Sequence, residues 1–285
     1  MASMRDIKRR KVSIQSTQQI TKAMKLVSTV KLQRAKNRAD RSKAYFECMY
    51  KTVCSMLMRS GNINHPYLVK GSSDRKAVIV ITSNRGLAGG FNSNIVKLIT
   101  KGELKKEELD IYAVGHKGRD ALNRYGYTIK ADGSDIVEEP VYADAQALAM
   151  KVLASYKAGE IGEIYLAYTA FKNTVVHIPT LIKLLPVDRE AAAADNEDSK
   201  VLMNYEPAED EALEMIIPKY VTSLIYGALV ESVASENGAR MQAMDSATSN
   251  AEEMISHLEL QYNRARQGSI TQELTEIIAG AEAIS

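Results

Sequence analysis

The stretch SNRGLAGGFN, residues 83–92, decides what kind of fold the middle of this chain can adopt. It takes over at the end of the apolar run AVIVITS and leads into NSNIVKLIT. A strand, a glycine-rich turn and a helix start, in that order, is where many nucleotide enzymes hold phosphate. The spacing argues against that use here. No Gly-Lys-Ser/Thr follows, as a P-loop requires, and the glycines do not fall as G-x-G-x-x-G. A tight turn that lets backbone approach backbone is the favoured reading.

Outward from this turn, strands and helices alternate. KAVIVITS reads as a buried strand and DIYAVG, 110–115, as another, followed by the helix-like HKGRDALNRYG. ADAQALAMKVLASYKAG reads as an amphipathic helix ended by Gly159. EIYLAYTAF, 163–171, and VVHIPTLIKLLPV, 175–187, read as strands, the second broken by Pro179. Such alternation predicts a small α/β domain over residues 70–190. The polar, low-complexity DREAAAADNEDSK opens a linker or foot loop, placed at 191–207.

The two flanks read as long helices. Residues 4–59 contain neither Pro nor Gly. From Leu32 the apolar or small positions fall at Ala35, Ala39, Ser42, Phe46, Met49, Val53 and Met56, steps of three and four that make a heptad seam. Upstream the seam is expected to shift onto Ile20, Ala23, Met24 and Val27. A second seam runs Met241, Met244, Thr248, Ala251, Ile255, Leu258, Tyr262, Ala265, Ser269. Pro218 is expected at a kink or early turn. Gly227 and Gly238 each weaken a helix by about 1 kcal/mol. At about 1.5 Å per residue, a helix over 4–59 spans ~80 Å and one over 208–285 ~110 Å. Neither fits inside a domain of roughly 120 residues, whose radius of gyration is about 14 Å. The expected fold is therefore a long antiparallel coiled coil of N-terminal (1–60) and C-terminal (208–285) helices, with the α/β domain inserted. The C-terminal helix is the longer. Its last residues, IIAGAEAIS, are small and apolar on several faces and call for a sleeve.

Charge supports the pairing. The net charge is only +2, but residues 1–43 hold 13 Lys/Arg against 2 Asp/Glu, and residues 206–285 hold 4 against 14. A basic arm of this kind also fits nucleic acid, but no aromatic residue interrupts it before Tyr45. Cys48 and Cys54 lie six apart on one predicted helix and cannot bridge. No metal-ligand spacing appears, and no apolar run reaches the ~18 residues of a membrane span. The four histidines, His65, His116, His177 and His257, are scattered. Glu138–Glu139 and Glu252–Glu253 are adjacent pairs that point in different directions on a regular element. No catalytic constellation emerges. In the acidic C-terminal helix, Arg264, Arg266 and Gln267 are the donors suited to a carboxylate partner.

Three segments resemble the gamma subunit of the F-type ATP synthase. Near the N-terminus, DIKRRKVSIQSTQQITKAMKLVSTVKLQRAK is similar to the family's opening pattern around ITkAM. In the middle, SNRGLAGGFN is similar to its Asp-Arg-Gly-Leu-Cys-Gly turn, with Asn84 in place of the usual Asp and Ala88 in place of the usual Cys. At the end, YNRARQGSITQELTEIIAGAEAI is similar to its most specific motif. The resemblance implies a noncatalytic rotor shaft, one copy per complex, with a Rossmann-like inserted domain and no cofactor. It implies alpha and beta subunits around the shaft, and the epsilon subunit and c ring at the foot, on the cytoplasmic face of a bacterial membrane. Carried over residue by residue, Met24, Arg240, Arg266 and Gln267 match positions near an acidic loop of beta. Ile277, Ile278 and Ala281 match the bearing tip. Tyr205 and Glu206 match the segment touching the c ring, although AEDEAL after them departs from the family pattern. A coiled-coil adaptor or nucleic-acid-binding arm stands as the alternative.

Overall fold

The computed structural model describes residues 4–59, 65–187 and 209–282. Helix α1 spans Met4–Arg59 and helix α5 Glu209–Glu282. Between them lie β1 (Lys76–Ile81), α2 (Phe91–Thr100), β2 (Leu109–Val114), α3 (His116–Arg124), β3 (Thr128–Asp132), α4 (Tyr142–Lys157), β4 (Glu163–Phe171) and β5 (His177–Leu185). The chain divides into two compact units. Thr29–Arg240 form one; Met1–Ser28 with Met241–Ser285 form the other.

The first unit is built on a five-stranded sheet in the order β3-β2-β1-β4-β5. The first four strands run parallel and β5 pairs antiparallel with β4. Alternation along β1 separates two apolar layers. Val78 and Val80 meet Ile95 and Ile99 of α2 and Leu122 of α3. Ala77, Ile79 and Ile81 meet Leu148 and Val152 of α4, together with Val53 and Met56 of α1 and Leu213, Ile217 and Ile225 of α5. Both faces are covered, which is why β1 and β2 read as continuous apolar runs.

Strand β3 escaped the sequence reading. TIKAD is a short edge strand whose residues alternate between exposed and half-buried, so it carries no apolar run. Pro179 does not break β5. It pairs with Thr169 inside the strand, and β5 lies at the sheet edge, where a missing N–H costs no ladder bond. Pro218 lies within α5 rather than at its start. Gly238 has a packing reason: a Cβ there would come 2.5 Å from Nε2 of the half-buried His177. A stretch within Glu211–Ala281 is apolar enough by composition to cross a membrane, contrary to the expectation, and half of it is buried inside the folded chain.

The second unit is a pair of helical segments, residues 4–28 of α1 against 241–282 of α5. Lys11 Nζ meets Glu259 Oε1 at 2.6 Å, Gln18 Nε2 donates to Glu252 Oε1 at 3.0 Å, and Lys25 Nζ meets Asp245 Oδ1 at 2.5 Å. Each step of seven up α1 is matched by a step of seven down α5, so the segments are antiparallel and in heptad register. The basic and acidic ends of the chain do pair.

Here one expectation fails. The seam of α1 does not shift upstream. Ile7, Thr21, Ser28, Leu32 and Ala35 are buried, with Ile14, Gln18 and Lys25 half-buried, all in the phase set by the downstream heptads. Ile20 (60% exposed) and Val27 lie on the outside, Ala23 is exposed, and Met24 is half-buried. The physical reason is that register follows from the continuous helix, so small and polar residues occupy the seam where the phase puts them. The seam of α5 falls as expected: Met244, Ala251 and Leu258 are buried, and Met241, Thr248, Ile255, Tyr262, Ala265 and Ser269 half-buried.

Candidate functional site

The seam of the paired segments mixes apolar and polar residues, and further large apolar residues stand on the outside. Thr21 Oγ1 and Thr248 Oγ1 meet across the seam at 2.8 Å, and Ser28 is buried close by in sequence. On the outside of α1, Val12, Ile20, Leu26 and Val27 are more than half exposed. On α5, Leu260, Leu274, Ile277 (68%) and Ile278 are likewise exposed. Exposed apolar residues on both helices of the pair make this outer surface the candidate interaction surface. These outer residues of α1 were missed as functional candidates. The signal was present: extending the downstream heptad backwards by sevens leaves Ile20, Leu26 and Val27 off the seam.

The residues singled out from the sequence separate into three groups. Met24, half-buried, is on α1 of this unit. Arg266 and Gln267 are exposed on α5, and Arg266 has no ion pair among the described residues. Among the described residues neither they nor Arg264 meets an acidic residue. Ile277, Ile278 and Ala281 follow on the same helix, all exposed. Arg240 belongs to the sheet-containing unit and is different. Its guanidinium is only 12% exposed; Nη2 donates to Glu236 Oε1 at 2.5 Å and to the Gly86 carbonyl at 3.3 Å. Tyr205 and Glu206 lie outside the described residues.

The glycine turn between β1 and α2 has its polar groups engaged from within. Thr82 Oγ1 accepts from the Gly118 N–H (2.9 Å), and Asn84 Oδ1 accepts from the His116 N–H (3.0 Å). The Lys117 N–H donates to the Ser83 carbonyl at 3.1 Å. The amides that open α3 therefore already serve the chain itself, and they hold the turn after β1 against the end of β2. Asn92 Oδ1 accepts from the Ser83 N–H at 2.9 Å, and Asn84 Nδ2 donates to the Ser134 carbonyl at 2.8 Å, which ties the turn to the loop after β3. Gly115 completes the arrangement. Its φ is 110°, and a Cβ would stand 2.2 Å from the Thr82 carbonyl oxygen, so only glycine lets the end of β2 come this close to β1.

Electrostatics in the sheet-containing unit follow burial. Glu236 is held above the usual carboxylate range by desolvation, with Arg240 and Lys31 pulling it back. Glu231 is likewise raised by burial, and the Phe171 N–H donating to its Oε2 at 3.3 Å offsets this in part. Burial pushes the Tyr165 hydroxyl up to about 12, helped by the Glu163 carboxylate it bonds. No group of three or more His, Cys, Asp and Glu suited to a metal occurs among the described residues.

Comparison with known proteins covers the whole chain. A family model described as ATP synthase matches residues 3–284. The ATP synthase gamma chain of Lachnoclostridium phytofermentans is 66% identical over 291 aligned positions, covering 100% of both chains. That of Alkaliphilus metalliredigens is 43% identical over 99% of this chain and 98% of its own length. A sodium ion specific ATP synthase gamma chain from Acetobacterium woodii is 40% identical over 99% of each. Among solved structures, the central stalk and c ring of the Tetrahymena thermophila mitochondrial ATP synthase contains a chain that matches 80% of this one and 99% of its own length. The TM-score is 0.61 and the identity 26%. A chain of the Euglena gracilis mitochondrial enzyme matches the fold over 99% of this chain and 94% of its own, with TM-score 0.69 at 20% identity.

Proposed function

The chain belongs to the ATP synthase gamma-chain family, the central stalk of the F-type ATP synthase, and from that premise we propose that it is the noncatalytic shaft carrying torque between a membrane ion ring and the catalytic subunits. A coiled-coil adaptor or a nucleic-acid-binding arm finds no support in these relatives. The protein is part of a membrane-associated enzyme complex. Within it, one copy stands inside a ring of alpha and beta subunits on the cytoplasmic face of a bacterial membrane, with the epsilon subunit and the c ring at its foot. The single observation that carries this reading is the helix pair's second apolar surface. Its seam holds apolar residues such as Met244 and Leu258, yet Ile20, Leu26, Val27, Ile277 and Ile278 remain exposed on its outside, and a surrounding partner would cover them.

The differing sides of the pair supply what a rotor needs. A partner's conformational equilibrium shifts only through contacts that differ between its states. Rotation past one subunit presents Ile20 and Val27 at one angle and Arg266 and Gln267 at another. Arg266 and Gln267 meet a carboxylate of beta, Met24 touches the same region, and Ile277, Ile278 and Ala281 run in an apolar bearing. The small, nondirectional contacts of that tip resist turning little.

Reconstitution with the alpha and beta subunits of its host and assay of ATP hydrolysis tests the proposal. A stable complex whose turnover depends on this chain is expected. Arg266→Ala with Gln267→Ala should cut coupled turnover severalfold, since each charge-assisted hydrogen bond lost contributes on the order of 1.5–3 kcal/mol. Helical content should stay unchanged. Turnover equal to wild type removes both residues from the contact.

A further inference from the structure

The tip of the glycine turn is fastened unequally. Its flanks are bound into the sheet: Ser83 by Asn92, Asn84 by Ser134 and His116. Its tip, Arg85 to Leu87, protrudes; Arg85 and Leu87 are exposed, and Leu87 takes the left-handed backbone conformation at φ 61°. Within the turn, Ser83 Oγ donates to the Arg85 carbonyl at 2.6 Å, and two further links tie the tip to other segments. Arg85 Nη2 meets Glu138 Oε1 at 3.1 Å, and the Gly86 carbonyl accepts from Arg240. The first is a solvated pair with a side chain 73% exposed, worth little. The second joins two groups of another kind. The acceptor is a backbone carbonyl, and the donor is a mostly buried guanidinium held one turn away by Glu236. Lys31 of α1 reaches Glu138 at 4.0 Å and bears on Glu236, so four segments converge on this spot.

We propose that Arg240 is a positioning residue that clamps the turn at Gly86 to helix α5, so that turn and helix move as one body. This rests on the shaft reading above and gives Arg240 a duty inside the chain in place of the subunit contact expected from the sequence. A guanidinium suits it because the two N–H groups of Nη2 serve a carboxylate and a carbonyl at once from a planar, pre-organised head, whereas a lysine brings its ammonium on a shorter, more flexible stem. Glu236 aims Nη2. Its buried carboxylate would be poorly tolerated without the arginine, which explains why both are found in an otherwise close-packed stretch of α5.

The experiment uses the assembled complex with alpha and beta subunits and compares wild type with Arg240→Gln, Arg240→Lys and Glu236→Gln. Amide hydrogen exchange is followed by mass spectrometry over residues 84–90 and, separately, over 228–246, alongside ATP turnover and the affinity of the chain for the ring. Arg240→Gln should speed exchange over 84–90 by about tenfold, the scale of one charge-assisted hydrogen bond. Exchange over 228–246 and affinity for the ring should stay within twofold of wild type. Arg240→Lys should fall between wild type and Gln, and remains informative if the Gln variant does not fold. Glu236→Gln, which leaves the link to Gly86, should change the turn less than Arg240→Gln. Unchanged exchange over 84–90 together with weaker ring affinity overturns the clamp and makes Arg240 a subunit contact. A wild-type chain that forms no complex at all sinks the shaft reading, and the same exchange measurement on the isolated chain then still decides the clamp.

Discussion

The two compact units use the same pair of helices in different ways. In residues 29–240, α1 and α5 turn their apolar sides inward: Val53, Met56, Leu213, Ile217, Ile225 and Leu229 close over the sheet. In residues 4–28 and 241–282, Gln18, Thr21, Ser28 and Thr248 share the seam with Ile7, Met244, Ala251 and Leu258, while Ile20, Leu26, Val27 and Ile277 face solvent. Burial of apolar surface stabilises the first unit by itself. The second has a thinner seam and leaves further large apolar residues exposed. The contrast teaches that one unit closes its apolar surface on itself, while the other keeps part of it open.

Core truncation should separate the units most strongly. Ile217→Ala, at a fully buried position, is expected to cost about 2–5 kcal/mol in urea unfolding of the isolated chain. Ile20→Ala should cost within about 0.5 kcal/mol in the same assay, and should instead weaken assembly with the ring. Comparable losses at both sites would erase the distinction.

Next in size is Gly238→Ala. The new Cβ would meet His177 Nε2 at 2.5 Å, so overpacking of about 1–3 kcal/mol competes with a helix-propensity gain of about 1 kcal/mol. Adding His177→Ala should recover much of the loss. A second substitution that makes matters worse would show that the ring does not oppose the Cβ.

A smaller effect sharpens the account of buried charge. The folded pKa of Glu231 is raised above its ordinary 4.5 by burial. The stability it supports is therefore full below 4.5 and is lost as the pH rises through the folded value. Glu231→Gln keeps an acceptor for the Phe171 amide and removes that loss. Melting curves should put the variant above wild type near neutral pH by no more than about 1 kcal/mol, given solvent screening, and level with it in mild acid. An advantage that grows towards acid would reverse the sign and refute the assignment. The least consequential change is Lys11→Gln. Its pair with Glu259 is solvated, so a loss under about 1 kcal/mol that disappears at high salt is expected.

Much of this molecule is legible in its sequence, for definite physical reasons. The heptads of α5 and of α1 beyond Leu32 show because small and apolar residues mark them. The parallel strands show because both faces are buried. Strand β3 did not show, since TIKAD at an edge carries only Ile129 and Ala131 as apolar residues, too short an alternation to stand out. The N-terminal seam misled because its apolar residues are spaced like a helix face yet serve the outer surface, and only heptad phase distinguishes the two. The residues read from the sequence as a site differ in how the fold presents them. Arg266, Gln267, Ile277 and Ile278 stand exposed, as a contact with another chain requires. Arg240 does not, because no local pattern announces that Gly86, 154 residues away, supplies its acceptor.

The central claim is that the helix pair is finished by an enclosing ring. Hydrogen exchange over residues 255–281 tests it directly, measured on the isolated chain and again after assembly with alpha and beta subunits. The account predicts exchange close to that of an unprotected helix in the isolated chain and strong protection in the complex, while residues 76–81 of β1 change little. Equal protection of 255–281 in both states would contradict it.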